Sequence, residues 1–285
     1  MGIFNVWYMY VIAYIFCSIT RLQLWKLATK TSKNDANLTI ILQLIAGATM
    51  LVWVPFFEFR FPTDLRVYLL LGLAIVFYTI SNRIETTVLR GLEASTFKVL
   101  RQLNTLFMML IGLIFFGESF IVTTIIGGLL IIFSNFLIFY RKGNIKANKY
   151  LGLGILSSLT IAIALTLDIG NAEHFNLPLY MVVTFSTPAI LIFLFERSKI
   201  SDVQAEFKNG NKLAIILTGI FWSLAAMTLL RAYMLGDVTV VAPLASLTVI
   251  LNVFAGYIFL KERDNLLKKV IAGVLILVSV ILIQM

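Results

Sequence analysis

The sequence is poor in charge, in cysteine and in histidine. Only 13% of its 285 residues are charged, whereas about 25% is usual in a soluble domain. A single cysteine, Cys17, excludes an internal disulfide framework. A single histidine, His174, excludes a histidine-rich metal site. We therefore predict no disulfide scaffold, no metal site and no cofactor.

Apolar residues are unusually abundant. They make up 60% of the chain, and the mean hydropathy is +0.96. A soluble protein of this length has too little interior to bury that share, so we predict a membrane protein. The net charge of +9 does not indicate nucleic-acid binding, because the cations fall in short clusters between apolar runs, as in membrane proteins.

Apolar runs of about 20 residues, the length that spans a bilayer, recur along the whole chain. We predict an all-α membrane protein with ten transmembrane helices. The longest connection, 196–212, contains "KNGNK" and is predicted to be a solvated loop. The ten predicted spans are about 3–21, 38–57, 67–88, 94–116, 120–140, 150–170, 177–195, 213–232, 238–260 and 267–285.

Two matching segments indicate an internal repeat. "GLIFFGE" at 112–118 and "GYIFLKE" at 256–262 are 144 residues apart, and neighbouring positions match at the same offset. We predict two five-helix repeats, 1–145 and 149–285. Because five is odd, the second repeat enters the membrane in the opposite sense. Inverted repeats of this kind are typical of secondary transporters.

Lysine and arginine concentrate in the odd-numbered connections. Connections 1–2, 5–6, 7–8 and 9–10 each carry four such residues, whereas the opposite side carries Arg60 and Arg66, with Arg231 near a boundary. Cytoplasmic loops are enriched in these cations. We therefore predict a multi-pass plasma-membrane protein with the odd connections in the cytoplasm and both termini outside. The four cations of the first connection are Arg21, Lys26, Lys30 and Lys33.

The fourth and fifth helices of each half carry a family resemblance. The fourth helices end in "FFGES" and "FLKER", and the fifth contain the small-residue runs "IIGGLLII" and "VIAGVLIL". Over nearly its whole length the chain resembles the EamA family of the drug/metabolite transporter superfamily. The resemblance implies a secondary transporter that moves a small metabolite by alternating access through a central cavity. The stretch "FKVLRQLNTL" is closer to nucleotide-sugar transporters, a related branch.

The segment "STFKVLRQLNTLF" at 95–107 places polar residues inside the fourth span. Charge in a bilayer is costly, so Lys98, Arg101, Gln102 and Asn104 are expected to face the bundle interior. One interpretation is a cationic lining for an anionic or zwitterionic substrate, because arginine grips carboxylates and phosphates. The other is structural, with Lys98 reaching the interface and Arg101 paired with an acid, Glu85 or Glu93.

Further residues are predicted from their position within spans. Glu85 has two interpretations that stay open: an ion pair, with Arg101 as a candidate partner, or a proton-coupling carboxylate. Asp168, at the end of the sixth span, is the other coupling candidate. Tyr78 and Trp222 are candidate pocket walls, because each has polar neighbours.

Two acids recur at equivalent ends of the fourth and ninth helices. Glu118 and Glu262 are expected to accept hydrogen bonds at the turn into the next helix. We assign them this structural role and not a role in substrate binding.

The predicted function is secondary transport of a small polar or anionic metabolite, with proton coupling or exchange possible. The alternatives are a nucleotide-sugar-like exchanger and a non-transporting membrane scaffold. An intramembrane enzyme is disfavoured, because the chain has no HExxH or GxSxG motif and no usable Cys–His pair.

Overall fold

The structure, a computed structural model, describes residues 7–115, 122–141, 144–145, 149–168, 171–236 and 238–284. Helices account for nearly all of these residues, and two short strands, Tyr140–Arg141 and Asn144–Ile145, pair antiparallel. The helices are α1 (Trp7–Thr31), α2 (Asp35–Leu51), α3 (Leu65–Gly91), α4 (Ala94–Leu100), α5 (Leu103–Phe115), α6 (Val122–Phe139), α7 (Lys149–Asp168), α8 (Leu177–Phe195), α9 (Ile200–Asn209), α10 (Lys212–Leu235), α11 (Val238–Phe259) and α12 (Leu266–Gln284).

Seven helical segments of the described chain are long and apolar enough to cross a membrane. They lie in α1, α2, α3, α7, α8, α10 and α12, and shorter apolar stretches occur in α6 and α11. Large apolar side chains point outward from several of these helices, among them Phe16, Leu69 and Phe254. Helices satisfy their own backbone hydrogen bonds, as a bilayer requires. The chain is a helical, multi-pass membrane protein.

Asparagine side chains begin three of the long helices. Asn34 accepts hydrogen bonds from two backbone N–H groups of α2, at 2.9 and 3.2 Å. Asn176 caps α8 and Asn211 caps α10 in the same way. Such caps satisfy N–H groups that have no partner within the helix. They fix where the chain re-enters the apolar layer.

The prediction for the third span is confirmed, including its polar half. Helix α3 runs through "SNRIETTVLRG" to Gly91. Ser81, Asn82 and Glu85 are all buried there. The polar groups share a face that packs inside the bundle, so the helix continues without exposing them to lipid.

Two predicted segments differ in the structure. The fourth span is not one helix, because α4 ends at Leu100 and α5 begins at Leu103. The connection at 196–212 is not wholly a loop, because α9 occupies Ile200–Asn209. The periodicity of α9 is helical, with Ile200, Val203 and Phe207 on one stripe, but its polar composition favoured a loop.

The long helices pack in pairs around a central core. Helix α1 lies along α10, α3 along α7, α2 along α8 and α6 along α12. Glycines permit close approach: a Cβ on Gly47 would lie 2.3 Å from Ser186 Oγ, and one on Gly127 would lie 2.7 Å from a backbone oxygen of α12. Helix α4 contacts α1, α3, α7 and α11. Its side chains therefore reach the middle of the bundle.

Candidate functional site

A buried ion pair joins α3 to the end of α4. Arg101 pairs with Glu85, whose side chain is 1% exposed. Ser81 and Ser157 also donate to Glu85, with oxygen–oxygen distances of 3.2 and 3.4 Å. A buried carboxylate needs such partners to offset its lost hydration. The ion-pair interpretation of these two residues therefore agrees with the geometry.

The backbone changes its hydrogen-bond pattern at Arg101. Gln102 N–H bonds to the carbonyl of Val99, and Asn104 N–H bonds to that of Arg101, so the bonds span three residues instead of four. A short stretch of this tighter pattern inside a helix often marks a hinge. Interrupted helices at membrane depth are common at transporter binding sites. The break places Arg101 at the junction of α4 and α5.

Arg21 is a central cation that the sequence analysis assigned wrongly to a connection. It lies inside α1, with its guanidinium carbon 4.9 Å from the ring centroid of Trp222 and 5.2 Å from that of Trp25. The two indoles stack with centroids 5.3 Å apart. Arginine above an indole face is a favourable cation–π arrangement. The structure thus places Trp222, a predicted pocket wall, directly against a cation.

The helix continues past Arg21 because its later polar groups find partners. Gln23 Nε2 donates to Asn252 Oδ1 of α11 at 3.1 Å. Lys26, also assigned to the first connection, donates to backbone carbonyls at the end of α3. A helical continuation was detectable from the apolar residues Leu22 and Trp25, which follow Arg21 at helical spacing and are buried.

Lys98 lies close to Arg21 in the middle of the bundle. Both lie within electrostatic range of the Tyr14 hydroxyl of α1. Within the described chain, neither Lys98 nor Arg21 forms an ion pair with a carboxylate. Tyr14, Lys98, Arg21 and Arg101 thus form a polar layer across α1 and α4, which we call the cationic layer.

Gln102 and Asn104 flank the helix break but do not join the ion pair. Both are half-buried. Asn104 Oδ1 accepts from the Thr105 hydroxyl at 3.3 Å. In the described residues neither amide is hydrogen-bonded to Glu85, Lys98 or Arg101. The four polar residues that we predicted to face the bundle interior are therefore divided between the two sides of the break.

A second polar cluster lies where α7 ends. Both carboxylate oxygens of Asp168 accept hydrogen bonds from phenols, one from Tyr78 of α3 and one from Tyr180 of α8. The structure brings the predicted residues Tyr78 and Asp168 into direct contact. It adds Tyr180, which the sequence analysis did not identify.

Contacts between the two halves of the chain hold the start of α4 in place. Glu262 accepts from the backbone N–H groups of Ala94 and Ser95 at 2.6 and 3.1 Å, and from the Ser95 hydroxyl at 2.5 Å. Lys269 pairs with Glu93. These contacts fasten the start of α4 to the turn between α11 and α12.

Glu262 accepts hydrogen bonds at the start of a helix, as predicted, but the predicted helix is wrong. It caps a helix start, but that helix is α4 and not the following helix α12. The reason is that the start of α4 packs against the turn between α11 and α12, which brings the Glu262 carboxylate to the N–H groups of Ala94 and Ser95. Glu118, its predicted counterpart, lies outside the described residues.

No family model matches the chain, and no curated protein matches it. Nineteen chains of solved structures are similar to it in fold. One of these, described only as "Crystal structure of protein", has a TM-score of 0.59 and 16% identity, over 94% of this chain and 95% of its own length. At that identity the likeness extends to the fold alone. No group of three or more metal-ligating side chains occurs among the described residues.

Proposed function

We propose that the chain is a secondary transporter that carries a small anionic or zwitterionic metabolite by alternating access. The observation that carries this proposal is the charge of the cationic layer. Arg21, Lys98 and Arg101 lie in it, and Glu85 pairs with Arg101 alone. Two cations are left without a carboxylate in the described chain. Uncompensated charge is costly in a bilayer, and an anionic ligand would offset that cost.

The helix pairs support two inverted five-helix repeats, 1–145 and 149–285. If the halves are exchanged, the pair α1–α10 becomes the pair α7–α3, which is also present. The pairs α2–α8 and α6–α12 each convert into themselves. Tyr78 and Trp222 are 144 residues apart, the offset of the matching segments. These pairs favour the EamA-like architecture of ten spans that the sequence resembles, and the proposal keeps it.

Asp168 is the better of the two candidates for a proton-coupling carboxylate. Glu85 already has the positive charge of Arg101 beside it, so protonation would break an ion pair. The contacts of Asp168 are the neutral hydroxyls of Tyr78 and Tyr180. Protonation there would remove no salt bridge. Proton coupling through Asp168 therefore forms part of the proposal, with substrate exchange as the alternative.

The proposed orientation has both termini outside the plasma membrane. With Arg21 and Lys26 inside α1, the charge bias rests on Lys30 in the exposed last turn of α1, on Lys33 and on the other odd connections. Those connections still carry more cations than the opposite side, where Arg60 and Arg66 lie. The proposal therefore keeps the odd connections in the cytoplasm.

Ligand-induced thermal stabilisation of the purified protein tests the proposal. The panel contains amino acids, organic acids, sugar phosphates and nucleotide sugars. A ligand at 100 times its dissociation constant should add about 2.7 kcal/mol to the free energy of unfolding. We expect one anionic class to stabilise the wild type and to exchange across liposomes. Stabilisation by nucleotide sugars alone would identify the exchanger that the fourth span resembles.

The variants Arg21→Gln and Lys98→Gln remove one cation each from the cationic layer. Arg83→Gln is the matched control, because Arg83 is an α3 cation that pairs with Glu196 away from this layer. We expect the first two to lose ligand stabilisation and flux, and the control to keep both. If all three variants transport like the wild type, the site assignment fails. If no ligand binds and no flux is found, the scaffold alternative is favoured.

A further inference from the structure

Helix α9 is a short amphipathic helix that connects two long apolar helices. Ile200, Val203 and Phe207 form its apolar stripe, and the two latter side chains pack against the core. Ser201, Gln204 and Lys208 are exposed. A helix of this composition beside a membrane span is suited to the interface between the acyl chains and the headgroups.

An apolar groove opens beneath this helix. It is lined by side chains of three helices, and its floor is formed by α2 and α10. The lining residues of α2 lie six to ten residues from the start of that helix, which is about 9–15 Å along its axis. This depth lies within one leaflet of a hydrocarbon core of about 30 Å. The lining residues are Ile41, Leu44, Ile45, Val203, Gln204, Phe207, Lys208 and Ile216.

The rim of the groove carries a positive charge and no acid. Lys208 is the charged lining residue, and it makes no ion pair within the described chain. The nearby acid Glu206 is buried and accepts from the backbone N–H groups of Lys33 and Asn34 at 3.0 and 3.1 Å. The Glu206 carboxylate is thus already hydrogen-bonded to backbone N–H groups at the start of α2. Lys208 remains available to an anion at headgroup depth.

We propose that this groove binds an anionic glycerophospholipid. One acyl chain lies along Ile41, Ile45 and Ile216, and the phosphate lies at Lys208, with Gln204 as a neutral donor beside it. Basic pockets between transmembrane helices recognise anionic headgroups in this way. The inference does not depend on transport, because the groove is built from α2, α9 and α10, outside the cationic layer.

Lipid binding to the full-length, delipidated protein in detergent tests the inference. Native mass spectrometry compares phosphatidylglycerol with phosphatidylcholine of the same acyl chains. Because a lysine near an anionic headgroup contributes about 1 kcal/mol, we expect about fivefold tighter binding of phosphatidylglycerol. Lys208→Gln should abolish this preference. Lys199→Gln, which removes a neighbouring exposed cation that does not line the groove, should preserve it.

A second variant tests the acyl-chain part of the site. Ile216→Trp fills the groove from α10, and we expect the variant to fold because the Ile216 side chain is 38% exposed. It should weaken the binding of both lipids. Glycerol 1-phosphate, which has the phosphate and no chain, should not compete. The inference is overturned if Lys208→Gln keeps the preference, if Ile216→Trp leaves both affinities unchanged, or if glycerol 1-phosphate competes as well as the lipid.

Discussion

Arg101 and Glu85 form an ion pair at the break between α4 and α5, and the carboxylate is almost fully buried. The pair joins the third span to the fourth at the point where the helical hydrogen bonds change register. The ion pair therefore stabilises the end of α4, and α5 begins two residues after Arg101. Arg101 thus makes a structural contact and also lies in the cationic layer.

Breaking the pair from one side should be costly. We expect Glu85→Gln or Arg101→Gln to lower the free energy of unfolding by about 3 kcal/mol, because each leaves a buried charge without its partner. The double variant should recover most of that loss. Thermal unfolding in detergent measures all four proteins as a double-mutant cycle. Additive losses in the double variant would show that the pair contributes no coupling.

Arg21 should bind the substrate through its planar guanidinium. We expect Arg21→Lys to weaken anion affinity by about tenfold, because lysine keeps the charge and loses the bidentate fork and most of the stacking on Trp222. Arg21→Gln should remove binding altogether. Isothermal titration with the ligand identified from the panel measures both. Equal affinities for arginine and lysine would indicate that charge alone matters.

Asp168 should set the response of transport to a proton gradient. In liposomes, we expect uptake by the wild type to increase when the pH gradient is applied. Asp168→Asn should still exchange substrate but ignore the gradient, because it loses the titratable group. Its carbonyl oxygen can accept from one of the two phenols, Tyr78 or Tyr180, and its amide N–H can donate to the oxygen of the other. Tyr180→Phe is the control that keeps the carboxylate. An unchanged gradient response in Asp168→Asn would remove this residue from the mechanism.

The cap on α4 should contribute measurably to stability. Glu262→Ala leaves the N–H groups of Ala94 and Ser95 without acceptors, so we expect a loss of about 1–2 kcal/mol in the free energy of unfolding. Glu58→Ala is the control, since Glu58 lies in an exposed pair with Arg60. That change should stay within about 0.5 kcal/mol. Equal effects of the two substitutions would show that the cap is dispensable.

The membrane orientation can be tested with cysteine labelling, because Cys17 is the only cysteine and is buried. In a Cys17→Ala background, Thr63→Cys and Ser201→Cys place thiols at exposed positions on opposite sides of the proposed bilayer. We expect a membrane-impermeant maleimide to label residue 63 in intact cells and to label residue 201 only after lysis. The reverse pattern would invert the proposed topology.

The sequence predicted a helical membrane protein because an apolar run of spanning length forms a helix in a bilayer. It also predicted α3 through its polar half, since Asn82 and Glu85 keep helical spacing. It did not predict the extent of α1, because Arg21 and Lys26 satisfy their charge with groups far away in the chain. Leu22 and Trp25 indicated that α1 continues, but the distant partners of these cations, Trp222 of α10 and the carbonyls at the end of α3, have no local signature.

The break at Arg101 was also outside the reach of periodicity. Residues on both sides favour helix, and nothing between Leu100 and Leu103 is a glycine or a proline. The pairing of Arg101 with Glu85 was one of several that the sequence permitted. Choosing among them required the packing of α3 against α4, which only the three-dimensional structure defines.

The carboxylate that caps α4 has a consequence for biogenesis. Glu262 is 168 residues later in the chain than Ala94. At about 5–20 residues per second, roughly 10–30 s of synthesis separate the two. During that interval the start of α4 has no carboxylate for its N–H groups, so the translocon or water must satisfy them. The second half of the nascent chain therefore completes the assembly of the first.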